Sequence, residues 1–128
     1  MPRWIRSVPL RTPTLPPARF TNCYLLGGTR LTLVDPGSGC PAELARLRPL
    51  LWRARGTGAT IASIFLTHHH ADHVGGAGAM GAELDAPIVA HPETLRRLPA
   101  ARGQRLRPAR HGDIVDLGDG LRLQVIHT

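Results

Sequence analysis

Short apolar runs alternate along the chain with breaks rich in glycine and proline, and the length and spacing of each run predict an element. Cys23-Tyr24-Leu25-Leu26 and Leu31-Thr32-Leu33-Val34 are both β-favouring, and Gly27-Gly28-Thr29-Arg30 separates them. That arrangement predicts a hairpin, because glycine supplies the positive φ that tight connections require. An edge strand is expected near Trp4–Val8. The stretch from Arg11 to Arg19 carries Pro13, Pro16 and Pro17, which exclude a central strand or a helix interior and leave an extended connection. Asp35-Pro36-Gly37-Ser38-Gly39 breaks the second strand of the hairpin. Pro41 then opens a helix at its first turn, where a missing N–H costs nothing. Leu44, Leu47, Leu51 and Trp52 are expected to form its buried stripe, with Arg46, Arg48 and Arg53 outward. Pro49 is expected to bend or interrupt it, and Gly56 and Gly58 to end it.

Ile61-Ala62-Ser63-Ile64-Phe65-Leu66 is nearly continuous in apolar character, the pattern of a strand covered on both faces. A helix should begin around Gly75-Gly76-Ala77-Gly78-Ala79-Met80 and run to about Leu84. Ile88-Val89-Ala90 reads as a strand, and Pro92 as the start of a helix through about Leu98. Ile114-Val115-Asp116-Leu117 and Leu121–Ile126 alternate around Gly118-Asp119-Gly120, a closing hairpin. No internal repeat is visible. Strands and helices interleave, so the fold class is α/β. The sheet should be mixed, since hairpins give antiparallel pairs and helical crossovers give parallel ones.

Composition adds bounds. The 128 residues suit one domain, and a hydrophobic fraction of 42% is enough for a packed core built from aliphatic side chains, aromatics being only 4%. The formal charge is +7, and all 16 basic residues are arginine. Arginine without any lysine, beside abundant alanine, glycine and proline, reads as coding bias, so the charge is a weak argument for a nucleic-acid partner. Cys23 and Cys40 make no disulfide framework and read as inert thiols. The N-terminus lacks the apolar stretch of a signal peptide, and no window approaches the ~20 apolar residues of a membrane span. A soluble, cytoplasmic protein with no membrane partner is expected.

The chemistry concentrates in Thr67-His68-His69-His70-Ala71-Asp72-His73. Imidazoles at i and i+2 of an irregular segment, His68 and His70, can both turn toward one point. Neutral imidazole suits zinc, and a neighbouring carboxylate hardens the site enough for iron or manganese as well. Asp72 and His73 diverge from each other and would reach a second ion about 3.5–4 Å away, the separation of two-metal hydrolases. A solvated tract or a purification tag is the competing reading. Tags sit at termini, whereas this cluster lies at the carboxyl end of a buried strand, where α/β proteins place their sites. His69 would point away and be exposed or secondary.

These residues resemble the His-x-His-x-Asp-His hallmark of the metallo-β-lactamase fold superfamily. Thr21–Leu26, Leu33-Val34-Asp35-Pro36-Gly37, Ile64–Thr67, Pro87–Pro92, His111-Gly112-Asp113 and Val125-Ile126-His127-Thr128 follow in the family's order. The likeness spans about residues 20–128, with a texture most similar to the glyoxalase II and β-lactamase-like-protein branches. It implies the N-terminal half of an αββα sandwich: residues 1–19 as a Pro/Arg-rich strand and connection, then 20–128 as a domain truncated at its C-terminal end. It implies His68 and His70 on a first metal and Asp72 and His73 on a second, with zinc in a dinuclear site. Asp72 would also act catalytically by orienting the nucleophile, while Asp35 would fix the loop without ligating. The implied reaction is metal-assisted hydrolysis of a thioester, ester or similar small acyl substrate.

Three further ligands of that family would lie beyond Thr128, and His127 matches the residue before the next ligand turn, so it is not assigned to metal. The expectation is a half-site with weak metal affinity and an uncovered sheet face prone to self-association. The alternatives are a nuclease of the same fold, using the six arginines between Arg96 and Arg110, and an inactive fragment.

Overall fold

The computed structural model describes residues 3–99 and 104–128. Strand β1 (Trp4–Arg11) is followed by β2 (Phe20–Gly27) and β3 (Arg30–Val34), and then by helix α1 (Pro41–Gly56). Strand β4 (Thr60–Phe65) leads into the short helix α2 (Ala71–Val74) and helix α3 (Ala77–Leu84). Strand β5 (Ile88–Ala90), helix α4 (Pro92–Arg97), strand β6 (Leu106–Pro108) and the hairpin β7 (Ile114–Asp116) and β8 (Arg122–Gln124) complete the order. Strands β1 to β6 form one sheet in sequence order. β1–β2 and β2–β3 pair antiparallel, and β3–β4, β4–β5 and β5–β6 pair parallel. The mixed α/β sheet with flanking helices agrees with the pattern of hairpins and crossovers in the sequence.

One face of the sheet carries Leu25, Leu33 and Ile64, all buried, and against it pack α1 through Leu44, Leu47, Leu51 and Ala54 and α3 through Ala77, Met80 and Leu84. Trp52 is 65% exposed, contrary to its expected place in the buried stripe. The reason is angular: Ala54, three residues beyond Leu51, completes the Leu44–Leu47–Leu51 row, and Trp52 falls beside that row on the helix. Pro49 interrupts nothing, since the helix is continuous across it. Strand β6 had no sequence signal, because Leu106-Arg107-Pro108 is too short and too polar in context to stand out. It forms because β5 offers an unpaired parallel edge.

On the opposite face, alternation and register place Ile5, Phe20, Tyr24 and Leu26 together. Ile5 is 75% and Phe20 51% exposed. The β7–β8 hairpin covers another part of this face. Its connection is tied down by Gly28 N and Arg30 N, which both donate to the Leu117 carbonyl at 2.8 and 3.1 Å. The first strand is therefore an integral member of the sheet, paired with β2 over residues 4–11.

Candidate metal centre

Parallel pairing of β3 with β4 sets Val34 opposite Phe65, so the two chains leave the sheet side by side. Asp35 follows one strand and Thr67 the other. Asp35 N donates to the Phe65 carbonyl at 3.0 Å, and its φ of 51° is left-handed, a conformation that Asp tolerates better than most residues. This turn aims the Asp35 carboxylate, in a residue only 4% exposed, across at the histidine segment.

Helix α2, which carries Asp72 and His73, is pressed against the Asp35–Gly39 turn by backbone contact. A Cβ on Gly37 would collide with the Asp72 carbonyl, one on Gly75 would come within 2.5 Å of the Gly37 carbonyl, and one on Gly76 would collide with the Ser38 carbonyl. Gly76 N donates to the Pro36 carbonyl at 2.7 Å. Bare glycine backbone is what permits this approach. The sequence placed the first helix after the histidines at Gly75. In the structure Gly75 and Gly76 instead mark the junction between α2 and α3.

Asp35 organises the histidines through one connected set of hydrogen bonds. Its Oδ1 accepts from Thr67 N at 2.8 Å, and its Oδ2 accepts from the Thr67 hydroxyl and lies 2.8 Å from His73 Nδ1. A carboxylate only accepts, so the neutral His73 ring carries its proton on Nδ1 and leaves Nε2 with a bare lone pair. The Thr67 hydroxyl has one proton, already given to Asp35. The 2.9 Å contact between Thr67 Oγ1 and His68 Nδ1 must then be donated by His68, which bares His68 Nε2 as well. Asp35, His68 and His73 offer ligand-type atoms all within 4.8 Å of one another, and the rings of His68 and His73 are 4.1 Å apart. With one of these contacts on Oδ1 and two on Oδ2, the Asp35 carboxylate ties Thr67 to His73.

His70 meets His68 edge-on at 4.8 Å between centroids, outside the tightest group. Asp72 Oδ2 lies 3.6 Å from His73 Nε2. Burial would raise the Asp72 carboxyl, but a hydrogen bond from Thr14 and the nearby His73 and His68 outweigh it and hold the group below the ordinary carboxylate value. Thr14 belongs to the proline-rich connection, so that segment reaches the site. His68 is held below the usual imidazole range, first by burial and then by His73 and His70, against the opposing pull of Asp35 and Asp72. Burial and the Asp35 charge push the Cys23 thiol up, which suits an inert core residue. His69 is exposed, with Nε2 3.3 Å from Arg97. The donor set fits a divalent transition ion: imidazoles whose Nδ1 atoms are already engaged, leaving Nε2 for a metal, and the Asp72 carboxylate beside them. Sequence reading assigned no role to Thr67, because a threonine between a strand and a histidine carries no signal until β3 is placed alongside.

A cavity of about 800 Å3 opens beside His68, lined also by His69, His91, His111 and His127. Of the arginines between 96 and 110, Arg96 is paired with Glu93 and Arg105 with Asp85, and Arg102 lies outside the described residues.

The sequence profile of the metallo-beta-lactamase superfamily matches residues 16–128. A hydroxyacylglutathione hydrolase of Aeromonas hydrophila is 36% identical over 105 residues, covering 75% of this chain and 33% of that protein. The beta-lactamase-like protein 2 homolog of Drosophila melanogaster is 34% identical over 119 residues, 84% of this chain and 39% of that one. Among solved structures, a metallo-beta-lactamase family protein from Thermus thermophilus superposes with a TM-score of 0.70 at 26% identity, covering 95% of this chain and 50% of that one. The chain thus spans a third to a half of the length of these relatives. With a matching profile over most of its length, a mixed sheet shared with those structures and a histidine cluster at the sheet's carboxyl edge, this chain belongs to the metallo-beta-lactamase superfamily.

Proposed function

We propose that this chain supplies the histidine-rich part of a metal-dependent hydrolase whose substrate is a thioester, ester or related acyl compound. The observation that carries the reading is the Asp35–Thr67 network, which engages Nδ1 of both His68 and His73, leaves their Nε2 atoms for a metal and sets the two rings 4.1 Å apart. Relatives named hydroxyacylglutathione hydrolase support the substrate class, since the compound they are named for is a thioester. His68 and His70 would hold one ion and Asp72 and His73 a second, with zinc favoured by imidazole donors. When bound, such ions supply Lewis acidity that activates water and polarises the scissile carbonyl. The chain's own residues bind and orient. Asp35 and Thr67 fix the tautomers of the two imidazoles, and Asp72, kept deprotonated by Thr14 and His73, orients the attacking water through its carboxylate.

The test is zinc titration of the 128-residue chain by competition with a chromogenic chelator, followed by thioester hydrolysis with the loaded protein. Zinc uptake lost in His68→Ala and in His73→Ala is the expected result. Uptake unchanged in both would refute the assignment. In the arginine segment that the nuclease alternative would use, Arg96 and Arg105 are engaged by Glu93 and Asp85.

A further inference from the structure

The cavity beside His68 holds three histidines that the metal centre does not use. His91 caps helix α4: its Nδ1 accepts from Glu93 N at 3.1 Å. His111 is fixed in the same way from further along the chain, its Nδ1 accepting from His127 N at 3.1 Å. A backbone amide can only donate, so each ring nitrogen it meets carries a lone pair, and each neutral ring carries its proton on Nε2. The two rings are therefore set in the tautomer opposite to that of His68 and His73. Of the two rings with a bare Nε2, His68 lines this cavity, and His91 and His111 line it with Nε2–H donors. Neither Nε2–H has a hydrogen-bond partner among the described residues. The His127 ring stacks on His91 at 4.9 Å between centroids and 21° between planes, holding that ring in place. The one acidic side chain among the described residues that line this cavity, Glu93, is engaged by the Arg96 guanidinium.

We infer that this cavity recognises a carboxylate carried by the substrate at a distance from the scissile bond, and that His91 and His111 bind it through their Nε2–H groups. At about 800 Å3 the space exceeds what the reacting carbonyl needs and suits a small organic acid. Two preset donors on rings locked by backbone amides are groups from which a carboxylate accepts, and the chain's formal charge of +7 favours an anion. The word substrate rests on the hydrolase reading, but carboxylate binding is measurable with no metal present.

The experiment uses the metal-free 128-residue chain with 15N-labelled histidine, titrated with propionate and, separately, with its neutral analogue propionamide. Saturable shifts of the His91 and His111 Nε2 resonances with propionate, and none with propionamide, are expected. His91→Asn and His111→Asn keep an acceptor near the Nδ1 position for the backbone amide and remove the Nε2 donor, so the fold is retained. Each should weaken propionate binding about tenfold, the loss of one hydrogen bond to a charged group. Shifts confined to the rings at positions 68–73, equal binding of propionamide, or undiminished binding by both variants would overturn the inference. Failure of zinc uptake would refute the hydrolase reading alone, and absent propionate shifts this one alone.

Discussion

Replacing Asp35 by asparagine would reverse the proton pattern of the whole histidine cluster while leaving its shape almost unchanged. Oδ1 still accepts from Thr67 N, but the atom in place of Oδ2 becomes an NH2 group with two protons to give. One goes to Thr67 Oγ1 and the other to His73 Nδ1, the two partners that now donate to Asp35. His73 must then carry its proton on Nε2. The freed Thr67 hydroxyl turns to His68 Nδ1, 2.9 Å away, and His68 follows suit. Both Nε2 lone pairs are lost at once. Changing a partner behind one metal ligand costs about 10–100-fold in affinity, so two reversed ligands should cost about 100-fold to 10,000-fold, or about 3–5.5 kcal/mol. Chelator competition measures the affinity, long-range 1H–15N spectra of the imidazoles read the tautomers, and urea denaturation checks that the fold persists. Zinc affinity within threefold of the parent, or Nε2 unprotonated in the variant, would show that Asp35 does not set the tautomers.

Four other perturbations separate the parts of the structure. Gly37→Ala drives a methyl into the Asp72 carbonyl, so it should destabilise by about 1–3 kcal/mol and weaken zinc uptake, and an unchanged urea midpoint would refute the tight backbone seam. Leu47→Ala, at a site with no exposure, should cost about 2–5 kcal/mol, whereas Trp52→Ser should stay within about 0.5 kcal/mol, and equal losses would mean that α1 is rotated from the position described. His68 is depressed below its ordinary 6.5, so just under that value the unfolded chain binds a proton that the folded chain refuses. Stability is then full above 6.5 and falls as pH drops below it, and His68→Gln should flatten that fall in urea titrations at several pH values. Finally, the exposed Ile5 and Phe20 should make the chain self-associate, with sedimentation rising with concentration and reduced in Ile5→Ser/Phe20→Ser, and a concentration-independent monomer would dismiss that face as an interface.

Much of the architecture was legible because it rests on local rules. The glycine turn between β2 and β3, Pro41 at the start of α1 and the apolar run of β4 each specify their element with no knowledge of the rest. Strand β6 was not legible, since Leu106-Arg107-Pro108 becomes a strand only when β5 stands beside it. Trp52 misled because size and hydrophobicity suggest burial, while the helical phase set by Leu44, Leu47 and Leu51 leaves no room for it.

The histidine motif divides in the same way. Spacing and residue type alone single out His68, His70, Asp72 and His73 as the proposed metal donors, since ligand chemistry is a property of the side chains themselves. Which nitrogen each ring presents depends on hydrogen bonds from residues 32 and 38 positions away, Asp35 to Thr67 and Asp35 to His73. Those contacts exist because parallel pairing brings two strand ends together and because three glycines let helix α2 approach. The same holds across the cavity, where amides of Glu93 and His127 set His91 and His111 the opposite way. Residue identity is written in the chain, but a proton's position on an imidazole is fixed by whichever donor or acceptor the fold places against it.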